Sequence, residues 1–157
     1  MKPNIGISEK KLSNVHTILS SVLSNEMTLY IKTRKFHWNV SGGSFMELHK
    51  LFENQYKQLE ESIDEVAERI NKLGGNTIGT MQEFLKISII KEAPGKYDSS
   101  KEMIKQLLKD HETIIIELRS YVKDCNEKYE DAGTTDFLTG LMVEHETIAW
   151  TLRRYLK

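Results

Sequence analysis

The stretch FHWNVSGGSFMELHKLFENQYKQLEESIDEVAERI, residues 36 to 70, decides the fold. Within it Leu48, Phe52, Gln55, Leu59, Ile63, Val66 and Ile70 recur in steps of three and four, the period of one helix face, and the series runs on to Leu73. The spacing predicts a helix from about residue 45 to about residue 73. Gly42-Gly43 stands ahead of it as a turn. Across that turn His37 continues a series running back through Arg34, Tyr30, Met27 and Leu23, beside a second series of Val22, Leu19, Val15 and Leu12. A long helix therefore precedes the turn.

Further along, Ile104, Leu107, His111, Ile114, Leu118, Val122 and Cys125 predict a third helix, and Leu138, Leu141, His145, Ile148, Leu152 and Tyr155 a fourth. Ser99 or Ser100, and Thr134 or Thr135, are suitable N-caps for these two. Pro3 and Pro94 both fall outside the periodic segments, and Gly74-Gly75, Gly79, Pro94-Gly95 and Gly133 supply the punctuation. Four helices of about 25 residues with no strand pattern describe an all-α four-helix bundle. The connection over about residues 74 to 98 is long enough to let the second and third helices run parallel. MQEFLKI, residues 81 to 87, is expected to form a short extra helix within it.

A chain of 157 residues buries one continuous core, so a single domain spanning 1–157 is expected, with residues 1–10 as a short N-terminal tail. Lys and Arg number 22 against 23 Asp and Glu, which leaves no general excess of positive charge to hold a phosphate backbone. The one cysteine, Cys125, forms no intrachain disulfide and reads as a packed thiol. No apolar run approaches the roughly 20 residues of a membrane span, and the first residues lack a signal-peptide core, so a soluble, cytoplasmic protein is expected.

The residues able to bind metal gather at the first turn and along the second helix: His37, His49, Glu53, Glu60, Asp64 and Glu68. Imidazole with carboxylate suits iron and other divalent metals, and the absence of clustered cysteines disfavours thiolate sites. With His49 at zero, Glu60 falls at about 20°, Glu53 at about 40°, Asp64 at about 60° and Glu68 at about 100° around the helix, one stripe beside the apolar face. That stripe faces water or another chain. His49 and Asp64 lie about 22 Å apart along a straight helix, too far to share a metal. Two copies packed antiparallel across a two-fold axis would bring the His49 end of one chain to the Asp64 end of the other, making two sites per dimer. An internal di-iron centre would use Glu-x-x-His pairs, and the chain contains none. His111 and His145 fall on apolar stripes and read as core histidines with hydrogen-bond partners, and Trp150 and most methionines read as packing residues. On periodicity alone, the acidic stripe also fits a merely solvated face.

Residues 36 to 70 closely resemble the signature region of the Dps family of mini-ferritins: His-Trp-Asn-Val before a glycine turn, Leu-His in the next helix, and Asp-Glu-Val-Ala-Glu-Arg beyond it, in the family's order and spacing. HETIAWTLRRYL at the C-terminus also resembles the end of that family's fourth helix, so the likeness covers nearly the whole chain. The resemblance implies a ferritin-like bundle and a ferroxidase whose centre takes His37, His49 and Glu53 from one subunit and Asp64 and Glu68 from its two-fold mate. Glu53 stands where aspartate is frequent. The implied metal is iron, Fe(II) and Fe(III), in a di-iron or mono-iron centre, with no haem. Trp38 matches the family tryptophan beside the centre, a candidate electron donor that limits escaping radicals, though it reads equally as an interface packing residue. Glu127 and Asp136 match acidic positions that line iron-entry pores at a three-fold axis. The family assembles as a hollow homo-dodecamer, typically oxidises Fe(II) with hydrogen peroxide and keeps ferric mineral inside, protecting DNA from oxidative damage.

Two other readings compete. A DNA-compacting architectural protein with secondary metal binding predicts salt-sensitive binding that survives loss of His37 and Asp64. Against it, the tail is short, with Lys2, Lys10 and Lys11 alone, so only a weak summed contact with DNA is expected. A helical scaffold without metal chemistry leaves the spacing of the histidine and acid motifs unexplained.

Overall fold

The computed structural model describes residues 3–95 and 97–157. Five helices follow in order: α1 (Glu9–Asn39), α2 (Phe45–Lys72), α3 (Met81–Ile87), α4 (Ser100–Glu127) and α5 (Ala132–Arg154), with no strand among the described residues. The four long helices form the expected bundle, and α3 is the short helix of the crossover.

Local chemistry explains the boundaries. Ser8 caps α1 by accepting from the Lys11 amide, so Lys10 and Lys11 lie in its first turn. The chain between α1 and α2 turns through Gly42 at φ 90° and Ser44 at φ 64°. α2 stops where Gly74 takes φ 81°, a left-handed conformation favourable to glycine. Thr80 and Glu83 form a reciprocal capping box that starts α3. Ser99 caps α4 as expected. The cap of α5 is Asp131, three residues ahead of Thr134 and four ahead of Thr135, the caps expected there: its carboxylate accepts from the Thr134 amide at 2.9 Å, and the helix takes in Ala132 and Gly133. Trp150 also departs from expectation, since it lies on the outer face of α5 at 55 % exposure with Arg154 over its ring.

Helix directions follow from cross-links. Ser21, Asn25 and Lys32 of α1 bond to Tyr121, Glu117 and Asp110 of α4, numbers rising on one helix as they fall on the other. α1 is thus antiparallel to α4. Since α1 also turns back into α2, α2 and α4 run parallel, the arrangement that needs the long crossover. Asn25 pins that crossover by accepting from Ser88 and from the Ile89 amide, while α3 packs on α1 with Phe84 buried.

Among the polar groups buried in the core, one chain links three helices. Glu26, His111 and His145, from α1, α4 and α5, are all but fully buried. Glu26 Oε1 lies 2.7 Å from His145 Nε2, and the Nδ1 atoms of the two histidines lie 2.8 Å apart. A carboxylate only accepts, so His145 Nε2 carries the hydrogen. Burial, and next the neighbouring His145, push the His111 ring well below the ordinary histidine value. Cys125 is buried, and burial pushes its thiol up to about 11, consistent with packing rather than reactivity.

The His111 shift carries a sign. The unfolded chain takes up a proton near the ordinary histidine value of about 6.5, while the folded chain keeps His111 neutral below that, so stability falls as pH drops through this value. The denaturation midpoint in urea is expected to fall between pH 7.5 and pH 5.0, and to fall less in a His111→Leu variant. Equal losses in the two proteins would contradict this assignment.

Candidate metal centre

The glycine turn brings the last turn of α1 against the first turn of α2, and with them His37 and His49. Their rings stack with centroids 3.8 Å apart and planes 24° apart. Each ring is held by the other residue's backbone: His37 Nδ1 lies 2.8 Å from the His49 carbonyl oxygen, and His49 Nδ1 lies 2.9 Å from that of His37. Carbonyl oxygens only accept, so both hydrogens sit on Nδ1 and both Nε2 atoms present lone pairs. This is the tautomer a metal-ligating histidine needs, fixed by its outer hydrogen bond. Tyr56 meets His37 edge-on at 5.2 Å, and Phe45 lies 5.2 Å from His49.

Glu53 follows His49 by one turn of α2. It is bonded to Lys57 and to Lys50, the latter at 2.9 Å, and the Lys57 hydrogen bond, then that of Lys50, hold its carboxyl down at about 2. The carboxylate is therefore anionic at neutral pH, with two lysines in competition with any cation.

Glu60, Asp64 and Glu68 are exposed on the same helix, as the stripe requires. The Lys72 ammonium, bonded at 2.8 Å, holds the Glu68 carboxyl below the ordinary range. Asp64 and Glu60 border a groove of about 750 Å³ between α1 and α2, whose lining includes Met27, Tyr30, Lys57 and Ile63. The fold thus joins His37 and His49, places Glu53 one turn along α2 from His49, and leaves Asp64 and Glu68 further along the helix. Among the described residues no three His, Cys, Asp or Glu side chains of one chain cluster to hold a metal ion.

Trp38 is 64 % exposed next to His37. Glu127 and Asp136 are exposed near the α4–α5 turn. The rest of that acidic turn is engaged, with Glu130 bonded to Lys11 and the buried Asp131 3.3 Å from Arg69. Sequence reasoning passed over Arg34 and Tyr56 as members of the histidine cluster, and Glu26 in the core. Glu26 does stand three and four residues from Leu23 and Val22, and a charge in that register was the available signal.

The ferritin-like domain model of the Ferritin family matches residues 17–157. A DNA protection during starvation protein of Bacillus anthracis is 36 % identical, covering 88 % of this chain and 94 % of that protein. The Dps crystal structure from Bacillus brevis superposes with a TM-score of 0.91 at 32 % identity, covering 96 % of this chain and 100 % of that one. The chain belongs to the Dps family of ferritin-like proteins. Dps from Vibrio cholerae O1, described as a member of a broad superfamily of ferritin-like diiron-carboxylate proteins, superposes with a TM-score of 0.93 at 29 % identity over 99 % of this chain and 97 % of its own. A low temperature-induced protein of Nostoc sp. is 43 % identical, covering 98 % of this chain and 86 % of its own.

In this Dps-family chain the two lysines on Glu53 would compete with a cation for its carboxylate. A Lys50→Ala, Lys57→Ala variant of the assembled protein is expected to bind Co(II) about two- to five-fold more tightly for each lysine removed. Equilibrium dialysis measures this, and unchanged affinity would show that the lysines do not compete for Glu53.

Proposed function

We propose that the protein is a ferroxidase coupled to iron storage, with its centre shared between two chains. His37, His49 and Glu53 of one chain meet Asp64 and Glu68 of a two-fold mate, and iron binds there as substrate in a di-iron or mono-iron arrangement. The observation that carries this reading is the pair of reciprocal bonds that fixes the His37 and His49 tautomers with both Nε2 lone pairs free. Imidazole and carboxylate donors fit ferrous iron, and carboxylates favour it further as its charge rises to ferric. The diiron-carboxylate description of the Vibrio cholerae relative and the protective names of the Bacillus and Brevibacillus relatives point the same way.

Hydrogen peroxide is the preferred oxidant in this reading. Two ferrous ions give one electron each, and peroxide with two protons leaves as two waters, so no hydroxyl radical is released. Trp38 stands beside the centre as a reserve electron donor. Glu127 and Asp136 line entry pores of a hollow homo-oligomer, a dodecamer, and draw cations inward by their charge. Ferric mineral collects inside, and DNA is protected because iron and peroxide are consumed together. Direct DNA compaction has little support from the lysines near the N-terminus: Lys11 bonds to Glu130, Lys10 is exposed in the first turn of α1, and Lys2 lies outside the described residues.

Anaerobic loading with Fe(II) followed by stoichiometric hydrogen peroxide tests the proposal. Fast ferric absorbance, little trapped hydroxyl radical and a soluble product are expected from wild type. A His37→Ala, Asp64→Ala variant is expected to oxidise slowly and release radical. Identical behaviour of the two would remove the catalytic reading.

A further inference from the structure

Arg34 lies one turn before His37 on α1, and three aromatic rings surround its guanidinium. The central carbon is 4.7 Å from the Tyr56 ring centroid and 5.4 Å from those of Tyr30 and Trp38. Nη1 donates to the Tyr30 hydroxyl at 2.5 Å, and Nε is buried without a protein partner, so the half-buried head group is held among the rings. The Tyr30 hydrogen bond raises the arginine's already high pKa, so the charge is permanent. The same rings lead to the histidines. Tyr30 meets Tyr56 edge-on at 6.1 Å, Tyr56 meets His37 edge-on at 5.2 Å, and His37 stacks on His49.

A cation over an aromatic face is bound to the electrons of that face. Taking one of those electrons leaves positive charge beside the guanidinium, which opposes the step. We propose that Arg34 is a positioning residue that gathers Trp38, Tyr30 and Tyr56 beside His37 and, through its charge, holds Trp38 back as an electron donor.

The proposal deepens the ferroxidase reading and rests on it for its biological setting. When a single ferrous ion meets hydrogen peroxide, iron gives one electron and Trp38 the other. The indole N–H proton and one proton from solvent join the peroxide oxygens, which leave as two waters, and a neutral tryptophanyl radical remains. With two ferrous ions present no second donor is needed, and the Arg34 charge spares the indole.

The test uses the assembled protein in a Trp150→Phe background, which leaves Trp38 as the sole tryptophan. Azide radicals made by pulse radiolysis are neutral one-electron oxidants, so Arg34 does not bias their approach, and no iron is required. The Arg34→Gln variant is expected to form tryptophanyl radical about two- to five-fold faster than its parent. Arg34→Lys, which keeps a charge, is expected to stay nearer the parent. Equal rates in Arg34→Gln and the parent overturn the proposal, and so does an Arg34→Lys rate matching Arg34→Gln, because packing and not charge would then be at work. Should Arg34→Gln fail to assemble, Tyr30→Phe releases the guanidinium from its anchor, and a rate equal to the parent's overturns the proposal. A second arm adds one Fe(II) per centre and peroxide. Arg34→Gln is expected to give more tryptophanyl radical than the parent, and equal yields count against the proposal, whereas absence of iron oxidation in the parent sinks the ferroxidase reading alone.

Discussion

Two hydrogen bonds across one glycine turn hold the histidine pair of this molecule in place. The rings of His37 and His49 each lie against the other's backbone carbonyl, so neither can rotate without abandoning a bond at the end of its helix. The interaction joins α1 to α2 beside the turn, selects one tautomer of each ring and frees both Nε2 atoms. The surroundings reinforce it. Tyr56 and Phe45 flank the stacked rings, and the turn between the helices uses left-handed conformations at Gly42 and Ser44.

The bundle supplies the rigid platform for that joint. Lys32 with Asp110, and Asn25 with Glu117 and the crossover backbone, fix α1 against α4 and tie down the long connection. The core also contains the buried Glu26, His145 and His111 chain, which links three helices by directional bonds. Such a chain favours one packing of the helices, because any shift breaks bonds between groups buried in the core. The same burial disfavours the protonated form of His111. Stability and site chemistry thus use histidines in opposite ways, one pair sealed in the core and the other at a turn with its lone pairs free.

Much of this was legible in the sequence because helical periodicity is a local signal. The apolar series marked the four long helices and the core placement of His111 and His145, and the length of the connection after the second helix marked the crossover with its short helix. The wheel placed Asp64 and Glu68 on the exposed stripe. What remained hidden depends on tertiary geometry. The reciprocal histidine bonds need the actual path of the turn, the Arg34 cluster needs two helices side by side, and the partner of Glu26 lies 119 positions away. The α5 cap was displaced because Asp131, which Arg69 of α2 approaches, caps better than a threonine inside the helix. Trp150 is exposed in the single chain although its sequence position suggests packing, because an aromatic side chain on a helix carries no mark of which chain, if any, covers it.

If one centre takes its ligands from two chains, mixing two differently altered subunits restores activity that neither has alone. Chains carrying His37→Ala and His49→Ala are unfolded, mixed in equal amounts with chains carrying Asp64→Ala and Glu68→Ala, and reassembled. In an isologous dimer each mixed pair contains one site with all its ligands and one with none of the altered ones. Random reassembly should therefore restore about a quarter of the wild-type ferrous oxidation, although neither parent alone is active. A mixture no more active than its parents would contradict the shared centre and place the metal chemistry elsewhere in the chain.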